Sequence, residues 1–399
     1  MGVFPLPSGT FLLAKQNNKI FKKHKTMKRI LTIIQEQASR FLLLTVLAGA
    51  IASCDSILDY DDGDCSIKYR VKFKYDYNME EVDAFSKQVR TVTLYAFDNQ
   101  GKLVYQKTDE GEQLGDNDYA MDVDFDAQNY HLIAWAGVND ESFGVPLLTP
   151  LKSKIEELTV KTLRNKNQNS RAETDEEGKF IVKDELHSLW HGEIKNAPTT
   201  RNGRESVTTV SLVKNTNNIR IVVAQVNQSN EPIPATKALR KNSLECAIYD
   251  DNGYMNYDNN LLPDNLLTYQ PFVTKESSVS TRAFRANGEP TEEDDNSGVD
   301  KEYNAVINEV SVARLMETQT PRLSIRNSVT GEDLFTSGNL IELLRMLQLE
   351  QYKNKYDLQE YLDREDQYSM IFFVNEKMAL INSVIEINGW IIHIRNIEL

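Results

Sequence analysis

The sequence predicts an all-β protein with two β-sandwich domains in tandem and one short helix in the second, behind an N-terminal signal peptide. The main observation is a series of short segments rich in β-branched and aromatic residues, separated by turn residues. The second is that one segment alone spaces its apolar residues as a helix does. After a 53-residue signal, about 346 of the 399 residues remain, enough for two ordinary domains.

The signal peptide is predicted from an apolar run that ends in small residues directly before a cysteine. Residues 42–53 read Leu-Leu-Leu-Thr-Val-Leu-Ala-Gly-Ala-Ile-Ala-Ser, and Cys54 follows. Small residues at the end of such a run suit a signal peptidase, and a lipid-modifying enzyme needs a thiol at the membrane surface. The run is too short for a transmembrane helix, which takes about 20 apolar residues. The pattern therefore indicates a bacterial lipoprotein.

Cleavage is expected between Ser53 and Cys54, so that Cys54 carries an S-diacylglycerol and an N-palmitoyl group. The basic segment that begins at Met27 marks a second candidate start for the signal. Residues 1–53 contain six Lys, two Arg and one Glu, so the mature chain carries a net charge of −21, against −14 for the whole sequence. Such an acidic body repels nucleic acid and anionic headgroups. Membrane contact is then expected to come from the lipid.

Residues 54–64 form a short acidic segment that is interpreted as a solvated tether. Its aspartates lack the spacing and the closing Glu of a calcium loop, so no metal or cofactor is predicted there. The chain has three cysteines, too few for a disulfide scaffold. Cys65 and Cys246 are interpreted as isolated core residues, and whether they pair is left open.

The first predicted domain covers residues 65–216. From Ile67 to Tyr77, apolar and charged residues alternate, which predicts a strand with one buried face. Thr91 to Phe97 carries β-formers on both faces, as a central strand does, and Asp98 to Gly101 predicts a turn into a returning strand. Further strands of this domain are predicted at Met121–Phe125, Tyr130–Gly137 and Ser206–Lys214.

Two patterns in this half resemble metal sites but are interpreted otherwise. Three aspartates on one side of a predicted strand are taken as a solvated face: Asp122, Asp124 and Asp126. His187 and His191 have the spacing of a helical zinc motif, yet no Glu follows the first histidine. Gly192 argues for a turn or strand, and residues 164–205 are interpreted as mostly surface loop.

The second predicted domain covers residues 217–399, and its boundary with the first is placed in the Asn-rich segment 215–218, which is interpreted as a turn. Leu340 to Leu347 has the apolar spacing of the single predicted helix. The acidic segment Asn287–Asp300 is interpreted as a mobile loop. Strands of this domain are predicted at Ile219–Val226, Leu244–Tyr249, Asn304–Leu315, Arg322–Ile325 and Met370–Val374.

Several segments in this order are similar to one known family. In the first half they are Cys65–Asn78, Thr93–Asp98 and Tyr130–Gly137; in the second half they are Lys214–Arg220, Gln359–Arg364 and Ile387–Trp390. Together behind a lipoprotein signal, they resemble the anchor-subunit family of type V fimbriae, the fimbrillin-A-associated anchor lipoproteins. The resemblance covers nearly the whole mature chain.

The resemblance implies a non-enzymatic protein with two transthyretin-like β-sandwiches. An anchor of this kind ends the fimbrial polymer and ties it to the outer membrane, facing outward, through the lipid on Cys54. Its partner is the major stalk subunit, which it joins by β-strand addition. Stalk subunits of such fimbriae lose an N-terminal segment to a protease and so lose their lipid. No arginine lies between Cys54 and Arg70, so this chain is expected to keep its lipid.

The C-terminus is a second place where the sequence bears on assembly. A β-prone segment runs to the last residue, and its candidate donor residues are Ile391, Ile392, His393, Ile394 and Arg395. This segment has two interpretations. It is either a strand donated to the last stalk subunit or the final strand of the second sandwich.

Two other classes of protein compete with an anchor. A tip adhesin of the same fimbriae shares the fold but is expected to lose its lipid. A surface glycan-binding lipoprotein would stack sugars on exposed aromatic rings. Trp190 is the candidate for that role, because Trp135 lies in a predicted strand whose pattern indicates burial. An enzyme is not expected, since no nucleophile motif, phosphate loop or metal-ligand set is found.

Overall fold

The computed structural model describes residues 68–124, 129–139, 141–167, 178–197, 205–227, 232, 239–280, 302–347, 350–387 and 390–394. The predicted signal peptide, the tether and the segment Asn287–Asp300 lie outside these ranges. The strands, in chain order, are β1 Lys68–Lys74, β2 Thr91–Phe97, β3 Leu103–Glu110, β4 Met121–Val123, β5 Tyr130–Ala136, β6 Phe143–Gly144, β7 Val160–Thr162, β8 Asn165–Lys166, β9 Phe180–Val182, β10 Trp190–Ala197, β11 Glu205–Ser211, β12 Val213–Lys214, β13 Thr216–Gln225, β14 Leu244–Asp250, β15 Tyr254–Met255, β16 Leu267–Tyr269, β17 Val273–Ser280, β18 Glu302–Ala313, β19 Arg322–Asn327, β20 Asp333–Thr336, β21 Gln367–Val374, β22 Leu380–Ile387 and β23 Trp390–Ile394. The helices are α1 Phe85–Gln88, α2 Leu340–Leu347, α3 Glu350–Lys353 and α4 Leu358–Arg364, with 3₁₀ turns at Glu112–Gly115, Ile155–Glu157 and Lys241–Ser243.

The first sandwich packs a three-stranded sheet on a five-stranded sheet. Their strand orders are β11-β1-β4 and β12-β10-β5-β2-β3. The alternating residues of β1, such as Val71 and Phe73, share one buried cluster with Val92 and Leu94 of β2. The apolar side chains of β1 thus meet the opposite sheet while Arg70 and Lys72 remain partly exposed, as alternation along a strand requires.

The second sandwich packs two six-stranded sheets. Their strand orders are β17-β18-β13-β21-β22-β23 and β20-β19-β14-β16-β9-β8. Ile221 of β13 and Val310 of β18 face Ile248 of β14 and Leu323 of β19 within one buried cluster. A smaller sheet, β15-β7-β6, lies beside them. The prediction of an all-β fold built from β-sandwiches is therefore confirmed.

The five-stranded sheet is buried on both faces, which explains why β2 carries β-formers on both sides. Leu94 belongs to the cluster inside the first sandwich, whereas Tyr95 and Trp135 belong to the larger cluster that continues into the second. Residues Ile67–Leu399 accordingly form one compact unit. Strands β8 and β9 precede residue 216 yet pair within a sheet of the second sandwich. The domain limits 65–216 and 217–399 stay a prediction.

The Asn-rich segment at the predicted boundary was expected to be a turn, and the structure corrects this. Thr216 is the first residue of β13, so that Asn217 and Asn218 lie in a ten-residue strand. The side chains of Asn215 and Asn217 are buried and hydrogen-bonded, that of Asn217 donating to the Ala313 carbonyl at 3.4 Å. Asn215 exchanges two amide hydrogen bonds with Asn259, with N–O distances of 2.6 and 3.1 Å. The segment therefore leads into a strand, and its buried amides have hydrogen-bond partners as buried polar groups require.

Helix α2 lies where the sequence predicts a helix, and Asn339 caps it by accepting a hydrogen bond from the Ile341 N–H at 2.9 Å. Helices α3 and α4 were not predicted from the sequence. Helix α4 begins after Asp357, whose carboxylate accepts from the Glu360 N–H at 2.7 Å. Seven residues with this cap give too short a periodic signal for a prediction from spacing alone.

A buried ion pair joins Arg314, directly after β18, to α4. The Arg314 guanidinium donates two hydrogen bonds to Asp363, at 2.8 and 2.6 Å, and the two side chains are 11% and 8% exposed. Arg314 also donates to the Asn259 carbonyl at 2.7 Å, and Gln359 donates to Asp363 at 3.0 Å. Together with the Asn215–Asn259 amide pair, these contacts form one polar network that runs from Asn215, directly before β13, to α4.

Two buried carboxyl groups give the fold a pH dependence. Asp250 at the end of β14 and Glu365 after α4 are 3% and 2% exposed. Burial raises the pKa of each group to about 8. Each carboxyl therefore stays protonated in the folded protein at a pH where the unfolded chain has lost the proton. Their contribution to stability is present at acid pH and is lost as the pH rises.

We expect the Asp250→Asn variant to be more stable relative to the native protein at pH 8 than at pH 5. The neutral amide removes a group that folding keeps protonated, so the loss between about pH 4 and pH 8 disappears for that site. Thermal unfolding at the two pH values measures the difference. Glu112→Gln, at an exposed position, is the control and should give the same offset at both. An offset for Asp250→Asn that does not grow with pH would contradict the assignment.

Candidate anchoring and assembly sites

The predicted cleavage site and the lipidation site, Ser53 and Cys54, lie outside the described residues. What the structure describes is the strand that follows the tether. No helix within the described ranges is long and apolar enough to span a bilayer. Because Cys54 is not among the described residues, its lipid stays a prediction from the sequence.

Strand β1 is an internal strand and is held from both sides. It pairs in parallel with β11 over seven residues, from Lys68 opposite Glu205 to Lys74 opposite Ser211. On its other side it pairs antiparallel with β4. Its inward side chains are 0–4% exposed and belong to the core: Tyr69, Val71 and Phe73. The first strand after the tether is thus part of the folded body.

The first arginine after Cys54, Arg70, lies within this strand. Arg70 pairs with Val207 on one side and with Asp122 on the other. Its guanidinium also lies 3.2 Å from the Asp122 carboxylate. The next arginine, Arg90, is exposed and donates to three carbonyls at the end of α1, those of Ser86, Lys87 and Val89.

The C-terminal segment forms β23, which pairs antiparallel with β22 from Ile387 opposite Trp390 to Ser383 opposite Ile394. It stands last in its sheet, so β22 is its one strand neighbour within the described chain. The candidate donor residues Ile391, Ile392, His393 and Ile394 lie in this strand. Arg395, the fifth, lies outside the described residues. Both interpretations of the segment stay open, since a paired edge strand can still bind another strand.

The interpretation of residues 164–205 as mostly surface loop is corrected in part, because β8, β9 and β10 lie in this segment. Gly192 marks a close approach of two sheets and not a turn. A Cβ there would lie 2.5 Å from a methyl carbon of Val210 and 2.7 Å from the Ser211 carbonyl oxygen. Only glycine fits that position of β10.

Trp190 is not available to stack a sugar, in contrast to the expectation from sequence. It lies in β10, is 2% exposed and packs edge-on against Tyr75 with ring centroids 5.9 Å apart. Trp135 is fully buried and meets the His191 ring at 4.7 Å. His191 donates from Nε2 to the Tyr257 carbonyl at 2.8 Å. Burial lowers its pKa to about 4, so the ring is neutral and has a structural role.

The other candidates for metal or redox chemistry lie in ordinary surroundings. Asp122 and Asp124 are exposed, and Asp126 lies outside the described residues. Within the described ranges, no group of His, Cys, Asp and Glu is arranged to hold a metal ion. Cys246 is a buried free thiol whose pKa burial raises to about 12. Cys65 lies outside the described residues, so the question of pairing is open.

The described residues form two β-sandwiches, with the first strand held in a core and the last strand at a sheet edge, and so define an all-β sandwich protein. A family model of the fimbrillin-A associated anchor proteins matches residues 61–396. The chain therefore belongs to this family of fimbrial anchor proteins. It is a fimbrial and adhesion-related protein of the cell surface and not an enzyme.

Solved structures agree with this assignment. A candidate adhesin from Bacteroides thetaiotaomicron is 31% identical with a TM-score of 0.63, and the match covers 82% of this chain and 98% of that one. A candidate polysaccharide-binding protein from the same organism is 28% identical with a TM-score of 0.62, covering 83% and 99%. The fimbrial anchor protein Mfa2 from Porphyromonas gingivalis shares the fold at 14% identity, with a TM-score of 0.55 and coverage of 82% and 98%. No curated protein matches the chain.

Sequence reasoning missed the partner of β1. Strands β1 and β11 are separated by more than a hundred residues and pair in parallel. Both were predicted as strands, but alternation along a strand does not reveal its neighbour. The Arg314–Asp363 pair was missed for the same reason, since one charge just after a strand and another in a short helix give no pattern.

Proposed function

We propose that this protein anchors fimbriae to the outer membrane through lipid on Cys54 and joins the stalk subunit by β-strand addition. The observation that carries the proposal is the position of β1. An anchor must keep the segment that leads from the lipid to its body. Here that segment enters directly into a strand that two neighbours and a core hold in place.

The pairing of β1 on both sides also disfavours the N-terminal cleavage that is expected of a stalk subunit. A protease binds its substrate as an extended, accessible chain, whereas the backbone around Arg70 is paired with β4 and β11. Cleavage at Arg70 would require opening both pairings and exposing Val71 and Phe73. The lipid on Cys54 therefore stays connected to the folded body.

A tip subunit is the second candidate, because a relative that is 31% identical is described as a candidate adhesin. A tip subunit lies at the far end of the fibre and cannot stay bound to the membrane. The fate of the segment from Cys54 through β1 therefore separates the two functions.

We expect the protein from purified outer membrane to begin at Cys54 and to carry acyl chains, as intact-mass analysis will measure. The Cys54→Ser variant should leave the membrane, because an acidic body has no electrostatic attraction to anionic lipid. Its fimbriae should then collect in the culture medium. Cys65→Ser, a cysteine outside the signal motif, is the matched control and should stay on the membrane with its fimbriae.

Two results would contradict the proposed anchoring function. One is a lipid-free form, with its N-terminus at Val71 or at Thr91, that travels with sheared fimbriae; this form would make the protein a stalk or tip subunit. The other is a Cys54→Ser variant that retains fimbriae on the cell as well as the native protein does.

A further inference from the structure

The loop that follows β6 presents apolar side chains to solvent. Residues 145–151 read Val-Pro-Leu-Leu-Thr-Pro-Leu. Leu147 is 95% exposed and Leu151 is 63% exposed, and the neighbouring Pro146 and Pro150 are exposed as well. Exposed apolar residues are ordinary when they are scattered singly, but a group of them in one loop marks a surface that meets an apolar partner.

The loop is fixed to the body of the protein. Between the exposed residues, Leu148 is 6% exposed and belongs to the core. The Leu151 N–H donates to the Leu103 carbonyl at 2.7 Å, and the Ser153 N–H donates to the Thr149 carbonyl at 2.9 Å. Leu151 also has a positive φ of 65°, which is uncommon for a side chain of this size. Such backbone strain is concentrated at functional sites, and here it holds a leucine in an exposed position.

The loop lies at the end of the first sandwich where β1 begins. Tyr69, near the start of β1, is opposite Val123, the last residue of β4. The Tyr105 hydroxyl of β3 accepts a hydrogen bond from the backbone of Asp124, which follows β4. Strand β3 itself begins at Leu103, the residue whose carbonyl binds the loop. These contacts place the start of β1 and the apolar loop at one end of the sandwich.

With lipid on Cys54, as proposed above, this end is the one held close to the membrane. Lys68, the first residue of β1, follows Cys54 by 14 residues. A fully extended chain covers about 3.3–3.6 Å for each residue, so the start of β1 stays within roughly 50 Å of the lipid. The bilayer is therefore the apolar surface nearest to the loop.

The charges beside the loop also favour a bilayer as the partner. The mature chain carries a net charge of −21, which repels an anionic surface. Next to the loop, however, the exposed Lys152 and Lys154 are balanced by the exposed Glu156 and Glu157. A locally neutral, apolar tip can approach an anionic bilayer that the rest of the body avoids.

We propose that this loop inserts Leu147 and Leu151 into the membrane surface, as a second contact beside the lipid on Cys54. The inference rests on the proposed lipid anchor. Two leucines bury too little area to hold the body by themselves, but the acyl chains keep the loop at a high local concentration next to the bilayer. The two contacts together fix how the body stands on the membrane, and so the direction in which the fibre leaves the cell.

The test is the depth of a fluorescent label in the acylated protein, reconstituted into vesicles of phosphatidylethanolamine and phosphatidylglycerol. With Cys54 acylated and Cys65→Ser in place, the remaining native thiol is Cys246, which is buried. Nitrobenzoxadiazole attached at Thr149→Cys should be quenched by a nitroxide placed on the lipid just below the headgroups. The reference label at Glu112→Cys, beyond the far end of β3, should not be quenched.

Replacing both leucines, with Leu147→Ser and Leu151→Asn, should remove the contact, since asparagine tolerates the positive φ at position 151. Quenching at Thr149→Cys should fall to the level at Glu112→Cys, while the protein stays acylated and bound to the vesicles. Val329→Ser is the matched control, because Val329 is 84% exposed in the turn between β19 and β20. It should leave the quenching unchanged, and thermal unfolding should show that all the variants are folded.

The failure of the loop contact is distinguishable from the failure of the anchor. If acylated, vesicle-bound protein shows no more quenching at Thr149→Cys than at Glu112→Cys, the inserted loop is overturned and the anchor stands. Equal quenching with and without the two leucines overturns it too. Protein that is not acylated and does not bind the vesicles would overturn both. Gel filtration of Cys54→Ser is the competing probe: a dimer that the double leucine variant dissociates would assign the loop to a second copy and overturn the membrane contact.

Discussion

Replacing Asp363 with alanine is expected to lower the free energy of unfolding by about 3–5 kcal/mol. The substitution leaves the Arg314 guanidinium buried without its carboxylate partner, and Arg314 is only 11% exposed. Water cannot restore two charge-assisted hydrogen bonds at that depth. Chemical denaturation of the folded protein, with urea at neutral pH, measures the change.

The loss of stability should come from the buried, unpaired Arg314 charge and not from the missing contact itself. Replacing both partners, with Arg314→Met and Asp363→Leu, should therefore recover much of the stability. Glu276→Ala is the control for an exposed pair, since it removes the partner of Arg240 at the surface and should change stability little. A destabilisation by Asp363→Ala no larger than that of Glu276→Ala would mean that the pair is solvated in solution.

Removing residues 391–399 is expected to abolish attachment of the stalk while leaving the protein on the membrane. Strand β23 has one strand neighbour, β22, so one row of its backbone N–H and C=O groups has no strand partner in the described chain. Such an edge is where another chain adds a strand. The same deletion removes the segment if β23 is itself donated. Co-purification of the stalk subunit from detergent extracts measures the attachment.

A shorter deletion of residues 396–399 is the matched control, because it leaves β23 complete. It should retain the stalk subunit. Thermal unfolding must show that both truncated proteins are folded, as expected for loss of an edge strand. Full attachment after removal of residues 391–399 would mean that β23 is only the final strand of the second sandwich.

Much of the fold could be predicted because the residues within each strand carry the pattern that predicts it. Strand β2 was predicted with both its bounds, and the turn after it was predicted from Gly101, which adopts a positive φ of 71°. Strands β1, β5 and β14 were predicted to within a few residues of their ends. In each case a single stretch of chain carries the β-formers, and in β1 it also carries the alternation of apolar and charged residues.

The rest depended on partners that lie far away in the sequence. Trp190 was assigned to a loop because its neighbours are polar, yet Tyr75 and the strand β5 bury it. The candidate assembly segment at the C-terminus was found from its β propensity, but its pairing with β22 was not.

The parallel pairing of β1 with β11 has a mechanical consequence. For a chain held to the bilayer at Cys54, a pull on the fibre enters the body at the Lys68 end of β1 and acts along the strand. All seven residue pairs with β11 then carry the load in shear, together with those to β4. In the proposed anchor, tension along β1 would be shared across the whole ladder instead of opening it one bond at a time.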